Sequence, residues 1–348
     1  MSDIARLFGT RLPIVQAPMA GAQAGALAAA ACEAGALGSL PCALLAPEAM
    51  RQELEVIRAR TQAPLNVNFF CHVQPQADST REARWRELLA PYYTEFGIDA
   101  SRIPEGPGRL PFSVEAAEVL AAYKPPVVSF HFGLPPEDLI ARVRAWGAKV
   151  VSSATTVEEA RWLESRGVDA VIAQGLEAGG HRGMFLTDDL TTQSGTFTLL
   201  PQVVKAVRVP VIAAGGIADA AGVRAAMALG AAGVQVGTAF LLCPEATISA
   251  IHRAELVGPR AGHTALTNLF TGRPARGIVN RLMREAGPMQ PLAPAFPLAT
   301  AAIAPLRAKA EAAGHGEFSP LWSGQNASGC RAVAAAEVVR ELARGFTP

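Results

Sequence analysis

The chain has 348 residues, half of them hydrophobic and 18% charged, with a net charge of +1. That balance supplies a large core and excludes a basic footprint for nucleic acid or an anionic membrane surface. Five scattered cysteines without a C-x-x-C pair exclude a disulfide framework or a clustered metal site and indicate a reduced, cytoplasmic protein.

The first residues, "MSDIARLFGTRLPIVQAPM", lack a basic head followed by a long apolar core, so no signal peptide is expected. The Ala-rich "GALAAAACEAGALGSL" is broken by Glu33 and glycines and reads as a helix and strand, not a membrane span. Short apolar runs then recur at 13–19, 36–41, 64–70, 126–132, 148–154, 169–175, 209–216 and 232–238. Amphipathic stretches such as "TTVEEARWLESRGV" separate them, opening on a capping Thr or Asp and closing on Gly. Eight strands in regular βα alternation predict an α/β fold, a (β/α)8 TIM barrel.

Two interruptions shape the domain plan. Residues 71–112 are polar and Pro-rich and read as an insertion between strand three and its helix; after 238 the βα rhythm stops. The expectation is a barrel over 1–240, then a mainly helical subdomain over 241–348 that covers the barrel mouth, shapes the substrate site as a lid and returns to the barrel.

Functional groups of such barrels sit at the C-terminal strand ends. Here those ends carry Gln16-Ala17-Pro18-Met19, Asn68, His131, Ser153, Gln174, "EAGGHRG", "AAGGI" and "VQVGTAF". Paired acids and clustered metal ligands are missing, so neither glycoside hydrolysis nor metal catalysis is indicated. Gly215-Gly216 and Gly237-Thr238 close adjacent strands, where backbone N–H groups can approach a phosphate. Ordinary tight βα turns are the alternative. Asn68 and Gln174 suit the mixed donor–acceptor edge of a planar ring, or serve as core amides tied to backbone.

In "VVSFHFGLP", alternation puts Val127, Ser129 and His131 on one face and Val128, Phe130 and Phe132 on the other. The bulky set suits the helix layer, which aims His131 into the barrel at its ligand-bearing end, as a base. His181, after Gly-Gly and beside Arg182, is read as ordering its loop or touching ligand.

"QAPMAG", "NVNFF", "VVSFHFGLP", "AQGLEAGGHRG", "VPVIAAGGIAD", "GVQVGTAFL" and "LWSGQ" resemble the nitronate monooxygenase family (2-nitropropane dioxygenases) from about residue 10 to 327. The resemblance implies an FMN-dependent enzyme that oxidises alkyl nitronates, or nitroalkanes, with O2 to nitrite and a carbonyl product, without reduced nicotinamide. It implies FMN contacts from Ala17, Met19, Asn68, Gln174, Gly179, Gly180, Gly215, Gly216, Gln235, Gly237 and Thr238. His131 would take the α-proton of a neutral nitroalkane. The substrate pocket would add His181, Phe296, Ser323 and Gln325, Phe296 standing where members often carry a tyrosine. The expected partners are small molecules only, in a monomer or homodimer. Three competing readings remain at this stage: a flavin-dependent NAD(P)H reductase of quinones or enoyl thioesters, a barrel that only binds a nucleotide, and a non-flavin enzyme of a phosphorylated metabolite.

Overall fold

A computed structural model describes residues 3–103 and 109–346. Eight parallel strands form the central sheet: Ile14–Gln16 (β1), Gly38–Pro41 (β2), Leu65–Phe70 (β3), Val127–His131 (β4), Lys149–Ala154 (β5), Ala170–Gln174 (β6), Val211–Ala214 (β8) and Gly233–Val236 (β9). Gly180–His181 is β7, and Thr264–Thr267 and Ala275–Ile278 are β10 and β11. The order β1-β9-β8-β6-β5-β4-β3-β2 closes where Val15 bridges Leu37, whose N–H donates to Ile14 O at 2.8 Å. All eight barrel strands fall within the expected runs, each shortened at one or both ends. The fold is the TIM barrel.

The pleat sorts each strand between two cores. Val127, Val151, Ile172 and Ile212 point inward, where Ile4 and Phe8 of the helix Asp3–Phe8 plug the barrel. Each plug side chain contributes roughly 1.5–3 kcal/mol by burial. Val128 and Phe130 face the surrounding helices. Phe132 does not follow them. The strand ends at His131, and Phe132 takes a left-handed backbone (φ 70°) that turns its ring toward Phe70 and Phe296.

The insertion is more ordered than its polarity suggests. Asp78 caps a helix over Ser79–Glu95, accepting from Arg81 N–H at 3.0 Å. Its Trp85, Leu89, Tyr92 and Tyr93 join Leu269, Leu282, Ile303, Leu306 and Phe318 in a second core outside the barrel. Tyr93 Oη donates to Ala302 O at 2.7 Å, fastening this helix to Ala299–Ala312. The C-terminal segment holds four helices, Ala250–Val257, Arg281–Ala286, Ala299–Ala312 and Ala335–Ala343, joined by long irregular stretches, and adds one feature absent from the expectation, the hairpin of β10 and β11. That hairpin takes β7 as a third strand, pairing Ala275 with His181. The last helix, Ala335–Ala343, buries Val338, Val339 and Leu342 against the barrel core. Among the described residues, no helix is long and apolar enough to cross a membrane, and no group of His, Cys, Asp or Glu could hold a metal ion.

Candidate active site

A cavity of about 260 Å³ opens at the C-terminal ends of the strands, walled on its outer side by the C-terminal segment. The structure brings together on its wall His131, His181 and all eleven residues expected around a cofactor: Ala17, Met19, Asn68, Gln174, Gly179, Gly180, Gly215, Gly216, Gln235, Gly237 and Thr238. Phe296, Ser323 and Gln325 are not on that wall. Phe296 packs behind it, its ring 5.3 Å from that of His181. Ser323 is buried with its hydroxyl on Gly324 O, and Gln325 is held through its N–H on Glu177 O at 2.9 Å.

His131 projects inward from the end of β4, and both ring nitrogens have partners. Nε2 lies 3.1 Å from His181 O and Nδ1 lies 3.0 Å from Ser153 Oγ. A carbonyl only accepts, so Nε2 carries the proton and Nδ1 is the acceptor, with Ser153 donating to it. Burial, with Arg273 and Arg182 acting in the same direction and the bond to His181 O against them, lowers the pKa of His131 to about 4. The imidazole is therefore neutral near pH 7, with Nδ1 as its basic atom. Ser153, on β5 beside β4, also lines the cavity. The strand-end position of Ser153 is its only sequence signal.

The His181 loop is pinned from several sides. Its Nε2 pairs with Thr271 Oγ1 at 2.9 Å, and its carbonyl receives Gln174 Nε2 at 3.0 Å as well as His131. Gln174 Oε1 accepts from Gly183 N–H at 2.7 Å. Gln174 thus acts on the loop as a tied amide. Fully buried Arg182 completes the clamp, donating to Gln174 O and Gly175 O at 2.7 Å and to Gln193 Oε1 at 3.1 Å. Asn68 donates to Ser129 Oγ at 2.9 Å, across the β3–β4 pair.

The glycines divide by cause. Gly215 and Gly216 adopt positive φ (118° and 73°), and a Cβ at Gly215 would meet Thr196 Oγ1 at 2.7 Å. Gly179 answers to protein packing, since a Cβ there would lie 2.5 Å from Gly324 N in the "LWSGQ" segment. At Gly237 a Cβ would make only ordinary contact with Ala17 and Met19, at 3.4 Å or more, so the surface beside it is open. The Thr238 hydroxyl oxygen accepts from Gly324 N–H at 2.9 Å, leaving its hydrogen as a donor. Among the described residues, Gln235 Oε1 is buried without a hydrogen-bond partner. An orphaned acceptor on a cavity wall calls for a donor from a ligand. Arg109, His252 and Arg307 also line the cavity, and nothing in their local sequence marks them; Glu177, Trp322 and Gly324, which line it too, lie within "EAGGHRG" and "LWSGQ".

The nitronate monooxygenase family model matches residues 2–345. A nitronate monooxygenase of Pseudomonas aeruginosa is 43% identical over 346 residues, 97% of both chains. A nitroalkane oxidase from Streptomyces ansochromogenes superposes with a TM-score of 0.89 at 40% identity, covering 99% of this chain and 97% of that one. FabK from Thermotoga maritima follows with a TM-score of 0.74 at 27% identity, covering 99% and 96%.

Proposed function

The chain belongs to the nitronate monooxygenase family, and from that premise we propose that it oxidises alkyl nitronates with O2 on bound FMN, releasing nitrite and a carbonyl compound. The observation that carries the reading is a neutral, doubly anchored His131 on the wall of a cavity that also holds a glycine cradle.

The residues present fit FMN. Gln235 Oε1, buried and unpartnered, matches the N–H edge of an isoalloxazine ring. Gly215, Gly216 and Thr238 offer a phosphate its backbone approach and a hydroxyl donor, with Ala17 and Met19 packing nearby. When bound, the flavin supplies the one-electron chemistry linking an anionic nitronate to O2. The chain's own residues do the rest. His131 Nδ1 takes the α-proton when a neutral nitroalkane enters, Ser153 swinging its hydroxyl aside as it does. Toward a preformed nitronate, no proton needs removing, and His131 and Ser153 orient the anion. The backbone clamp of Gln174 and Arg182 holds the His181 carbonyl, and with it the imidazole, in one tautomer. The aromatic rings of Phe70, Phe132 and Phe296 exclude water from that side. Two nitronates and one O2 balance to two carbonyl compounds and two nitrites.

The test is oxygen uptake and nitrite release by the purified protein, its visible spectrum recorded first, with nitronate and NAD(P)H offered separately. A yellow protein that consumes O2 and releases nitrite with nitronate, while sparing NADH, is the expected result. NADH oxidation without nitronate turnover would replace the reading with a flavin-dependent reductase of quinones or enoyl thioesters.

A further inference from the structure

The arginines around the cavity are nearly all spent. Arg182 and Arg276 donate to backbone carbonyls of the loop after β6, and Arg253 to those of Leu242, Cys243 and Ala246. Arg273 reaches Met184 O, and Arg307 Nε binds Glu311 at 2.7 Å. Arg109 differs. It lines the cavity, and among the described residues its guanidinium has no carboxylate or carbonyl acceptor. Its guanidinium lies over the ring of Phe296, with Cζ 5.6 Å from the centroid.

Arg109 is nevertheless held in place. Its carbonyl accepts from His72 Nε2 at 3.1 Å and from Gln74 Nε2 at 2.7 Å. The Phe296 ring beneath the guanidinium is set edge-on to His72, at 4.8 Å between centroids. The neighbouring charge is of the same sign: burial, with Arg307 adding to it, lowers the Arg109 pKa to about 10. Glu311, the carboxylate on that side, already accepts from Arg307 and from Ser319 Oγ at 2.6 Å. A half-buried guanidinium beside a second cation, with no carboxylate on it among the described residues, is costly unless an anion joins it.

We propose that Arg109 is the anion-binding, specificity-determining residue of this cavity, taking a planar oxyanion in its guanidinium fork while Arg307 adds to the field. The oxyanion is either the nitronate group itself or a carboxylate elsewhere on the same substrate. A planar fork matches both, through two parallel N–H···O bonds. The identity of the substrate rests on the nitronate reading; the anion site does not.

The experiment uses holoenzyme, Arg109→Gln and Arg109→Lys. Butyrate, a carboxylate that resists oxidation, is titrated against neutral butyramide while the visible spectrum and tryptophan fluorescence are followed. KM is then measured for a simple alkyl nitronate and for one bearing a distal carboxylate. Wild type should bind butyrate well ahead of butyramide. Arg109→Gln should weaken butyrate about 10- to 100-fold, the range of a charged hydrogen bond, and Arg109→Lys should restore part of the loss. Equal KM increases for both nitronates place the nitronate group at Arg109. An increase confined to the carboxylated substrate places the carboxylate there. Butyrate binding no better than butyramide, or unchanged by Arg109→Gln, overturns the proposal. A wild type that binds butyrate through Arg109 yet leaves nitronates untouched refutes the function and keeps the anion site. If the glutamine variant does not fold, the butyrate–butyramide comparison and the lysine variant decide.

Discussion

Gly183→Ala is the sharpest probe of the geometry around His131. The backbone at Gly183 is outside the left-handed region, so alanine is tolerated there on conformational grounds. A Cβ would nevertheless lie 2.9 Å from His131 Cε1, 3.0 Å from Ser153 Cβ and 3.3 Å from His131 Nδ1. Comfortable carbon contacts lie near ~3.5–4.0 Å, so ring or loop must retreat by roughly 0.5–1 Å. The ring cannot retreat freely, because Phe132 packs 4.6 Å from it, centroid to centroid. The 3.0 Å bond to Ser153 and the 3.1 Å bond to His181 O therefore lengthen together. Overpacking of this kind costs about 1–3 kcal/mol of stability. Displacing a reacting group by about 1 Å costs on the order of 10²-fold in rate. Initial rates of nitrite release, thermal melts and flavin absorbance after desalting are the assays. The control is Gly262→Ala, where a Cβ meets nothing within 4 Å. A Gly183→Ala enzyme within twofold of wild-type kcat, with an unchanged Tm, would refute the claim that the imidazole's position matters.

Other perturbations address separate parts of the site. His131→Asn should slow neutral nitroalkanes by about 10²–10⁴-fold and preformed nitronates far less; oxygen uptake with the two substrates decides, and equal losses would remove the base role. Gly215→Ala puts a side chain at φ 118° and against Thr196, so its strain of about 1–3 kcal/mol should lower both Tm and the flavin retained per chain; full retention would detach this glycine from the cofactor. Burial lowers the pKa values of His72, His131 and His252 to about 4, and that of His181 well below 6.5. The unfolded chain then binds more protons between pH 6.5 and about 4, so stability is complete above that window and falls as pH drops through it. Each histidine adds a slope of about 1.4 kcal/mol per pH unit. Urea melts from pH 8 to pH 5 should show the decline, and a flat profile would contradict burial of the neutral imidazoles.

The barrel is legible in the sequence because parallel strands covered on both faces are near-continuous apolar runs, and turns separate them cleanly. The inward phase of His131 follows from the same two-residue period. Phe132 escapes that logic because the period ends with the strand, and a left-handed residue can turn a ring anywhere. The insertion helix hides because Trp85, Leu89 and Tyr92 sit among charges and bury against a segment some two hundred residues away. The glycines illustrate a subtler limit. Gly179 and Gly215 look alike in sequence, yet one admits another backbone and the other permits a turn. Ser153 shows in sequence only as a strand end, and Arg109 not at all, because the neighbours that give them meaning come from other elements, which no local pattern encodes.

The contacts of the Trp322–Gln325 segment bear on how the protein comes into being. Gly324 N–H reaches Thr238 Oγ1, 86 positions earlier, and Gln325 N–H reaches Glu177 O. From β3 onward each barrel strand pairs with the barrel strand before it, but β1 waits for β9, and the wall that encloses the site follows all eight in chain order. Long-range closures of this kind form late. A closed barrel with an open mouth therefore precedes, in chain order, the wall that turns that mouth into a cavity.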